Sequence, residues 1–157
     1  MLNNPAQLSK ALQQAGMRLT QQRLAICSLL SETEEHPTAQ MIFEQLRPEY
    51  PSLSLATVYN TLDVLIDLGL VNSLGSAGDE AIHYDADTSP HVNLACTSCH
   101  RVIDLPSQHV HALENEVASQ SGYKIMGARV MYYGLCPECQ AKLSNQSQKP
   151  QSFPFPK

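Results

Sequence analysis

Two cysteine pairs carry the most specific chemistry in this 157-residue chain: Cys96-x-x-Cys99 and Cys136-Pro137-Glu138-Cys139. A two-residue gap lets both thiolates of a pair turn toward one ion, and two such turns complete a tetrahedral four-thiolate zinc shell. A closed shell of four sulfurs leaves no position for a substrate, so the expected Zn2+ is structural. Two other chemistries use parts of the same pattern. Cys96-Thr97-Ser98-Cys99-His100 matches the C-x-x-C-H string of c-type haem attachment. That attachment requires export, and no basic-then-apolar signal pattern opens the chain. A thioredoxin-like redox pair needs one C-x-x-C in a βαβ setting, and here there are two. Cys27 stands apart on an apolar helical face and reads as a buried core thiol.

The remaining residues narrow the function class. No phosphate loop, nucleophile elbow or His-Glu-x-x-His pattern is present, so an enzyme is not expected. No apolar run approaches the roughly 18 residues of a membrane span. A cytoplasmic protein with no membrane partner is therefore expected, in a compartment that keeps thiols reduced and favours metal ligation over disulfides. The net charge is −5, which runs against the basic field typical of nucleic-acid binders. Residues 1–84 hold Lys10, Arg18, Arg23 and Arg47 against nine acidic residues, and the rest of the chain balances six against six. Any DNA contact must come from a local patch.

The elements that position these groups read as follows. Asn4-Pro5 opens a helix with the apolar stripe Leu8, Ala11, Leu12 and Ala15, closed at Gly16. Thr20 caps a second helix with Leu24, Cys27 and Leu30 inward. Thr38 caps a third with Ala39, Ile42, Phe43 and Leu46 on one face. Ser54 caps a fourth, running to about Leu68, with Val58, Leu62, Leu65 and Ile66 inward and Thr57, Asn60, Thr61 and Asp67 outward. Leu70–Leu74 and Ala81–Tyr84 then read as a β-hairpin. Helices followed by a hairpin is the order of a winged helix, over residues 1–84. Residues 85–90 read as a hinge. Strands are expected at His91–Cys96, Val102–Leu105 and Tyr123–Leu135, with a helix at Ser107–Ser121 burying Val110, Leu113 and Val117. The polar tail, 141–157, is expected to be disordered. The fold class is α+β.

Five stretches in order make the chain resemble the ferric-uptake-regulator family of metalloregulators over nearly its whole length. They are Arg18-Leu19-Thr20-Gln21-Gln22-Arg23, His36-Pro37-Thr38-Ala39, Ser54-Leu55-Ala56-Thr57-Val58-Tyr59-Asn60-Thr61-Leu62, His91-Val92-Asn93-Leu94-Ala95-Cys96 and Tyr133-Gly134-Leu135-Cys136-Pro137. The resemblance implies a homodimer, joined through a zinc-stapled α/β dimerisation domain over residues 91–140. It also implies a metal-dependent repressor of a palindromic DNA operator. The helix from Ser54 would enter the major groove, with Thr57, Tyr59 and Asn60 near bases or backbone and Arg18 reaching DNA from the loop before the second helix. Asp63 and Asp67 fall on later turns, which must point away from phosphates, whereas Ser54 and the open amides of the helix start can face one.

The resemblance further implies a regulatory ion held by His36, Asp85, His91, Asn93 and Asp104. Side-chain alternation puts His91 and Asn93 on one face of a strand. Asn93 departs from the histidine that many members carry. A shell of imidazole, carboxylate and amide suits Fe2+ or Mn2+. Aspartate at Asp104 resembles the peroxide-sensing branch, in which bound Fe2+ leads to oxidation of a ligating histidine, here His36 or His91, and to release of DNA. An iron- or zinc-uptake regulator of the same family is the alternative, and a zinc-ribbon enzyme or scaffold without a DNA role is the reading from another class. His83, His100, His109 and His111 read as structural or surface residues.

Overall fold

The computed structural model describes residues 3–144. It divides into two compact units. One holds the residues through Gly75 together with Ile82–Ser89, and the other holds Ser76–Ala81 and the residues from Pro90 onward.

The first unit is built on four helices: α1 (Pro5–Gln14), α2 (Gln21–Glu32), α3 (Ala39–Leu46) and α4 (Leu55–Asp67). Each starts where a side-chain oxygen satisfies an amide that the helix leaves open. Asn4 accepts from Gln7 N in a capping box, Thr20 from Arg23 N, Thr38 from Met41 N, and Ser54 from Thr57 N. Each such cap is worth about 1 kcal/mol. The core gathers Leu8 and Leu12 of α1, Ile26 and Leu30 of α2, Ile42 of α3, and Val58, Leu62 and Leu65 of α4. Cys27 lies in it with no exposed surface, and burial pushes its thiol up to about 11.

Thr61 is fully buried, against the outward position its polarity suggested. It stands three residues after Val58 and four before Leu65, so it shares their stripe. Its Oγ1 donates to Thr57 O at 2.7 Å, which satisfies the hydroxyl inside the core.

The chain leaves α4 through Gly69 at φ +69, with Leu70 N and Val71 N both donating to Leu65 O. This helix stop uses the residues expected to begin the next strand. The hairpin strands are therefore β1 (Asn72–Gly75) and β2 (His83–Asp85), paired antiparallel with a register shift between Ser73 and Gly75. Together with α1–α4 they complete a winged helix. Asp85, expected at the start of a hinge, is the last residue of β2 and is buried. Asn3 N and Asn3 Nδ2 donate to Ala86 O, tying the following segment into the first unit.

The second unit is a three-stranded sheet in the order β4-β3-β5, with strands β3 (Val92–Cys96), β4 (Val102–Leu105) and β5 (Val130–Gly134) and helices α5 (His109–Ser121) and α6 (Pro137–Ser144). β3 runs antiparallel to β4 and parallel to β5. β5 is shorter than Tyr123–Leu135 because its ladder starts at Val92, the first residue of β3, which pairs with Val130. Residues before Val130 extend past that end, and Tyr123 and Met126 are exposed. α5 buries Val110, while Leu113 and Val117, expected inside, are about half exposed at 52% and 46%. Residues 141–144, assigned by composition to a disordered tail, complete α6. Glu138 in its first turn and Lys142 in its last suit the helix dipole, and buried Cys139 anchors it. Positions 145–157 of that tail lie outside the described residues. Among the described residues no helix is long and apolar enough to cross a membrane.

Candidate metal centre and nucleic-acid interface

Strand register assembles the cysteines. The parallel β3–β5 ladder ends with Cys96 beside Gly134, so the two chain segments leave the sheet together, and Thr97 N donates to Gly134 O at 2.9 Å. The β3–β4 turn closes through Cys96 N to Arg101 O at 2.9 Å and His100 N to Cys96 O at 2.8 Å. The sulfurs of Cys96, Cys99, Cys136 and Cys139 all lie within 4.8 Å of one another. Cys99 Sγ and Cys136 Sγ are 3.8 Å apart. Two sulfurs on one tetrahedral zinc, each at about 2.3 Å, stand about 3.8 Å apart.

The electrostatics agree with this geometry. Burial pushes the Cys96 thiol up, but backbone hydrogen bonds from Cys136, Cys99 and Ser98 outweigh it and bring the thiol down to about 6. At Cys139 the hydrogen bond with Ser98 lowers the thiol, but the neighbouring Cys136 thiol, desolvation and the other two cysteines carry it up to about 11. The Cys96 thiolate forms readily while Cys99 and Cys139 resist, which is the state a central cation relieves. The cluster fits a structural zinc site.

Of the five residues expected at a regulatory ion, the first unit holds two. His36 is buried just before α3, and His36 Nδ1 lies 3.7 Å from Asp85 Oδ1. His83 Nδ1 meets the His36 carbonyl oxygen at 2.7 Å and fixes the backbone there. Sequence reasoning gave His83 no part in the site, since its partner is a backbone atom far along the chain. The second unit holds the other three. His91 Nε2 lies 3.1 Å from Asp104 Oδ1, and Asn93 pairs across the β3–β4 ladder with Asp104. Asn93 is 3% exposed, and its Oδ1 is buried with no hydrogen-bond partner among the described residues. An orphaned buried acceptor costs about 1–3 kcal/mol, which a bound cation would recover. Two ligand atoms about 2.1 Å from one divalent ion stand roughly 3–3.5 Å apart at 90–110°. Each unit thus presents an imidazole beside a carboxylate at near-ligand spacing, with donors that suit Fe2+ or Mn2+.

On α4 the Ser54 Oγ and Thr57 Oγ1 are 2.9 Å apart, so the Thr57 hydroxyl is engaged with the cap. Tyr59 and Asn60 are exposed on the outer face, as are Asp63 and Asp67 on later turns. Arg18 is exposed, and its carbonyl oxygen accepts from Arg23 Nη1 at 2.6 Å. Arg23 therefore holds the loop that presents Arg18.

Residues 14–133 match the family model described as the Ferric uptake regulator family. The chain belongs to the ferric uptake regulator family. Over 132 residues this family member is 36% identical to the peroxide-responsive repressor PerR of Staphylococcus aureus, a match covering 84% of this chain and 88% of that protein. The Helicobacter pylori ferric uptake regulator Fur has a like fold, with a TM-score of 0.73 at 20% identity over 88% of this chain and 95% of its own. A zinc uptake regulator solved complexed with zinc and DNA gives a TM-score of 0.63 at 25% identity, covering 89% of this chain and 95% of that one. The relatives of this ferric uptake regulator family member are regulators, in keeping with the absence of an enzyme motif.

Proposed function

We propose that this metalloregulator is a DNA-binding transcriptional repressor that requires Fe2+ or Mn2+ and senses peroxide through Fe2+-dependent oxidation of His36 or His91. The observation that carries the reading is the histidine–carboxylate pair in each unit, His36 with Asp85 and His91 with Asp104, on a chain 36% identical to a peroxide-responsive repressor. In this reading one ion is shared by His36, Asp85, His91, Asn93 and Asp104. The two carboxylates neutralise its charge, and the two imidazoles and the amide supply neutral donors. Donors drawn from two units favour the arrangement in which all can bind. The ion then promotes DNA binding through its greater affinity for that state.

When bound, Fe2+ would relay electrons from a ring to peroxide, the ring C–H giving up the two electrons that the O–O bond takes as it breaks. The balance at the protein is one oxygen: a ring C–H of His36 or His91 becomes C–OH, as its keto tautomer, and the other peroxide oxygen leaves as water. An oxidised ring donates less well, so the shell fails and the DNA-binding state loses its support.

Zn2+ on Cys96, Cys99, Cys136 and Cys139 keeps the second unit folded throughout. The exposed apolar residues Ile103, Leu105, Leu113, Val117 and Tyr132 support a homodimer through that unit, acting in the cytoplasm on a palindromic duplex. Each α4 would read one half-site with Tyr59 and Asn60, while Ser54, Thr57 and Arg18 serve the phosphates. A metal-uptake regulator is the second reading. It is favoured by Asn93, an amide where many members carry an imidazole.

The test is metal dependence. Protein holding one zinc per chain and no second ion should fail to bind a palindromic duplex selected from a randomised pool. Mn(II) should restore binding, and Asp104→Ala should lose that restoration while keeping its zinc. Equal binding with and without Mn(II) would contradict the reading.

A further inference from the structure

The segment Ser76–Ala81 joins β1 to β2, yet it groups with the second unit and not with the strands it connects. Its own polar groups fold it into a closed loop. Asp79 Oδ1 accepts from Ala77 N at 3.2 Å and from Ala81 N at 3.3 Å. Ser76 Oγ accepts from Gly78 N at 3.0 Å and from Glu80 N at 2.9 Å. The Ala77 carbonyl oxygen instead meets the ring of His100, with Nδ1 at 3.1 Å. A carbonyl only accepts, so this contact requires the proton on Nδ1.

Three further observations show a built contact. Ala77 has no exposed surface, although it sits in a hairpin loop. Gly78 has φ +95, and a Cβ there would stand 3.6 Å from both His100 Nδ1 and Thr97 O, so the loop backbone lies directly on the β3–β4 turn. His100 itself takes φ +62. A side chain is strained in that left-handed conformation, and glycine would occupy the same turn without the strain. The ring at position 100 therefore needs a contact to offset the strain, and the Ala77 carbonyl supplies one.

We propose that His100 latches the hairpin loop Ser76–Ala81 onto the Cys96–Cys99 turn, so that the order of the loop depends on the zinc held by the four cysteines. Cys96 and Cys99 bound to one ion fix the turn between them, and His100 follows directly. Its backbone is set by His100 N donating to Cys96 O at 2.8 Å. With the turn fixed, Nδ1–H is aimed at the Ala77 carbonyl. Without the ion, nothing covalent holds the turn, and the latch loses its base. The inference rests on the structural zinc site and on nothing in the peroxide or DNA readings.

Hydrogen exchange on full-length, zinc-loaded protein tests it without DNA or a regulatory ion. His100→Gly removes the ring while relieving the positive φ, so it should keep one zinc per chain. Amides 76–81 should then exchange at least tenfold faster, with the α1–α4 amides unchanged. His100→Asn tolerates the left-handed backbone and can donate to the carbonyl, so it should restore most of the protection. Chelating zinc from the parent protein should bring the loop to at least the His100→Gly rate, with α1–α4 as the control. The proposal is overturned by unchanged loop exchange in His100→Gly, by loss of zinc from that variant, or by an asparagine no better than glycine. A loop that stays protected after chelation overturns the dependence on zinc.

Discussion

Truncating Arg18 to alanine removes an exposed cation from the proposed DNA face and leaves the backbone beneath it in place. The loop before α2 is held by Arg23 Nη1 on the Arg18 carbonyl oxygen at 2.6 Å, a bond that needs no Arg18 side chain. The variant therefore tests one charge, not the fold of the loop. Each phosphate contact contributes a slope of about −0.9 to log K against log salt, so a dimer losing two contacts should bind with a slope shallower by about 1.8. Between about 50 and 200 mM salt the affinity gap between parent and variant should narrow by roughly tenfold. Anisotropy titrations of Mn(II)-loaded protein on the selected duplex, at four or more salt concentrations, give the slope. Arg47→Ala is the control, because that guanidinium stacks 5.6 Å from the Phe43 ring and is not placed on the DNA face. Because the chain carries net charge −5, each remaining cation matters more than in a basic protein. Parallel salt lines for the parent and Arg18→Ala would refute the placement of this face.

Other consequences follow from burial and ligand chemistry. Cys27, with its thiol at about 11, should resist alkylation at pH 8 both before and after zinc chelation, while the four chelated cysteines react; mass spectrometry after denaturation locates the label. A Cys27 that labels together with the other four would contradict its place in the core. Cys136→Ser should lose zinc and with it the fold of the second unit, measured by metal content and sedimentation; a zinc-free, dimeric, folded variant would remove the structural role. Asn93→Ala should weaken Mn(II) binding by no less than the roughly 10–100-fold typical of outer-shell partners, with zinc content unchanged, and calorimetry reads the difference. An unchanged Mn(II) affinity would make Asn93 a spectator.

Local chemistry made most of the first unit legible. A side-chain oxygen before an apolar stripe is a signal contained within four residues, and Asn4, Thr20, Thr38 and Ser54 each cap the helix they were expected to cap. Thr61 was misplaced because polarity was weighed above helical position; its hydroxyl is satisfied by the backbone one turn earlier. The start of β1 was set by the helix stop just before it, and that of β5 by a distant partner strand. Leu70 and Val71 are taken by the stop of α4, and β5 begins where β3 gives it a partner. Periodicity marked Leu113 and Val117 as apolar, but a stripe does not say what covers it. The cysteine pairs were readable because two turns with the same spacing have few other uses. The family resemblance, not residue type, implied His36, Asp85, His91, Asn93 and Asp104, and the orphaned Asn93 oxygen could be found only from burial. The positive φ of His100 and the docking of the Ser76–Ala81 loop left no sequence signal, since both rest on a backbone carbonyl.

The central claim is that peroxide is sensed at a histidine. Its most direct test is mass spectrometry of the Fe(II)-loaded and Mn(II)-loaded proteins after dilute peroxide, with duplex binding followed in parallel. The Fe(II) form should gain one oxygen on His36 or His91 and release the duplex with its zinc retained, while the Mn(II) form should keep both histidines and the duplex. Release from the Fe(II) form with both histidines unmodified would contradict the claim and move the chemistry to the cysteines.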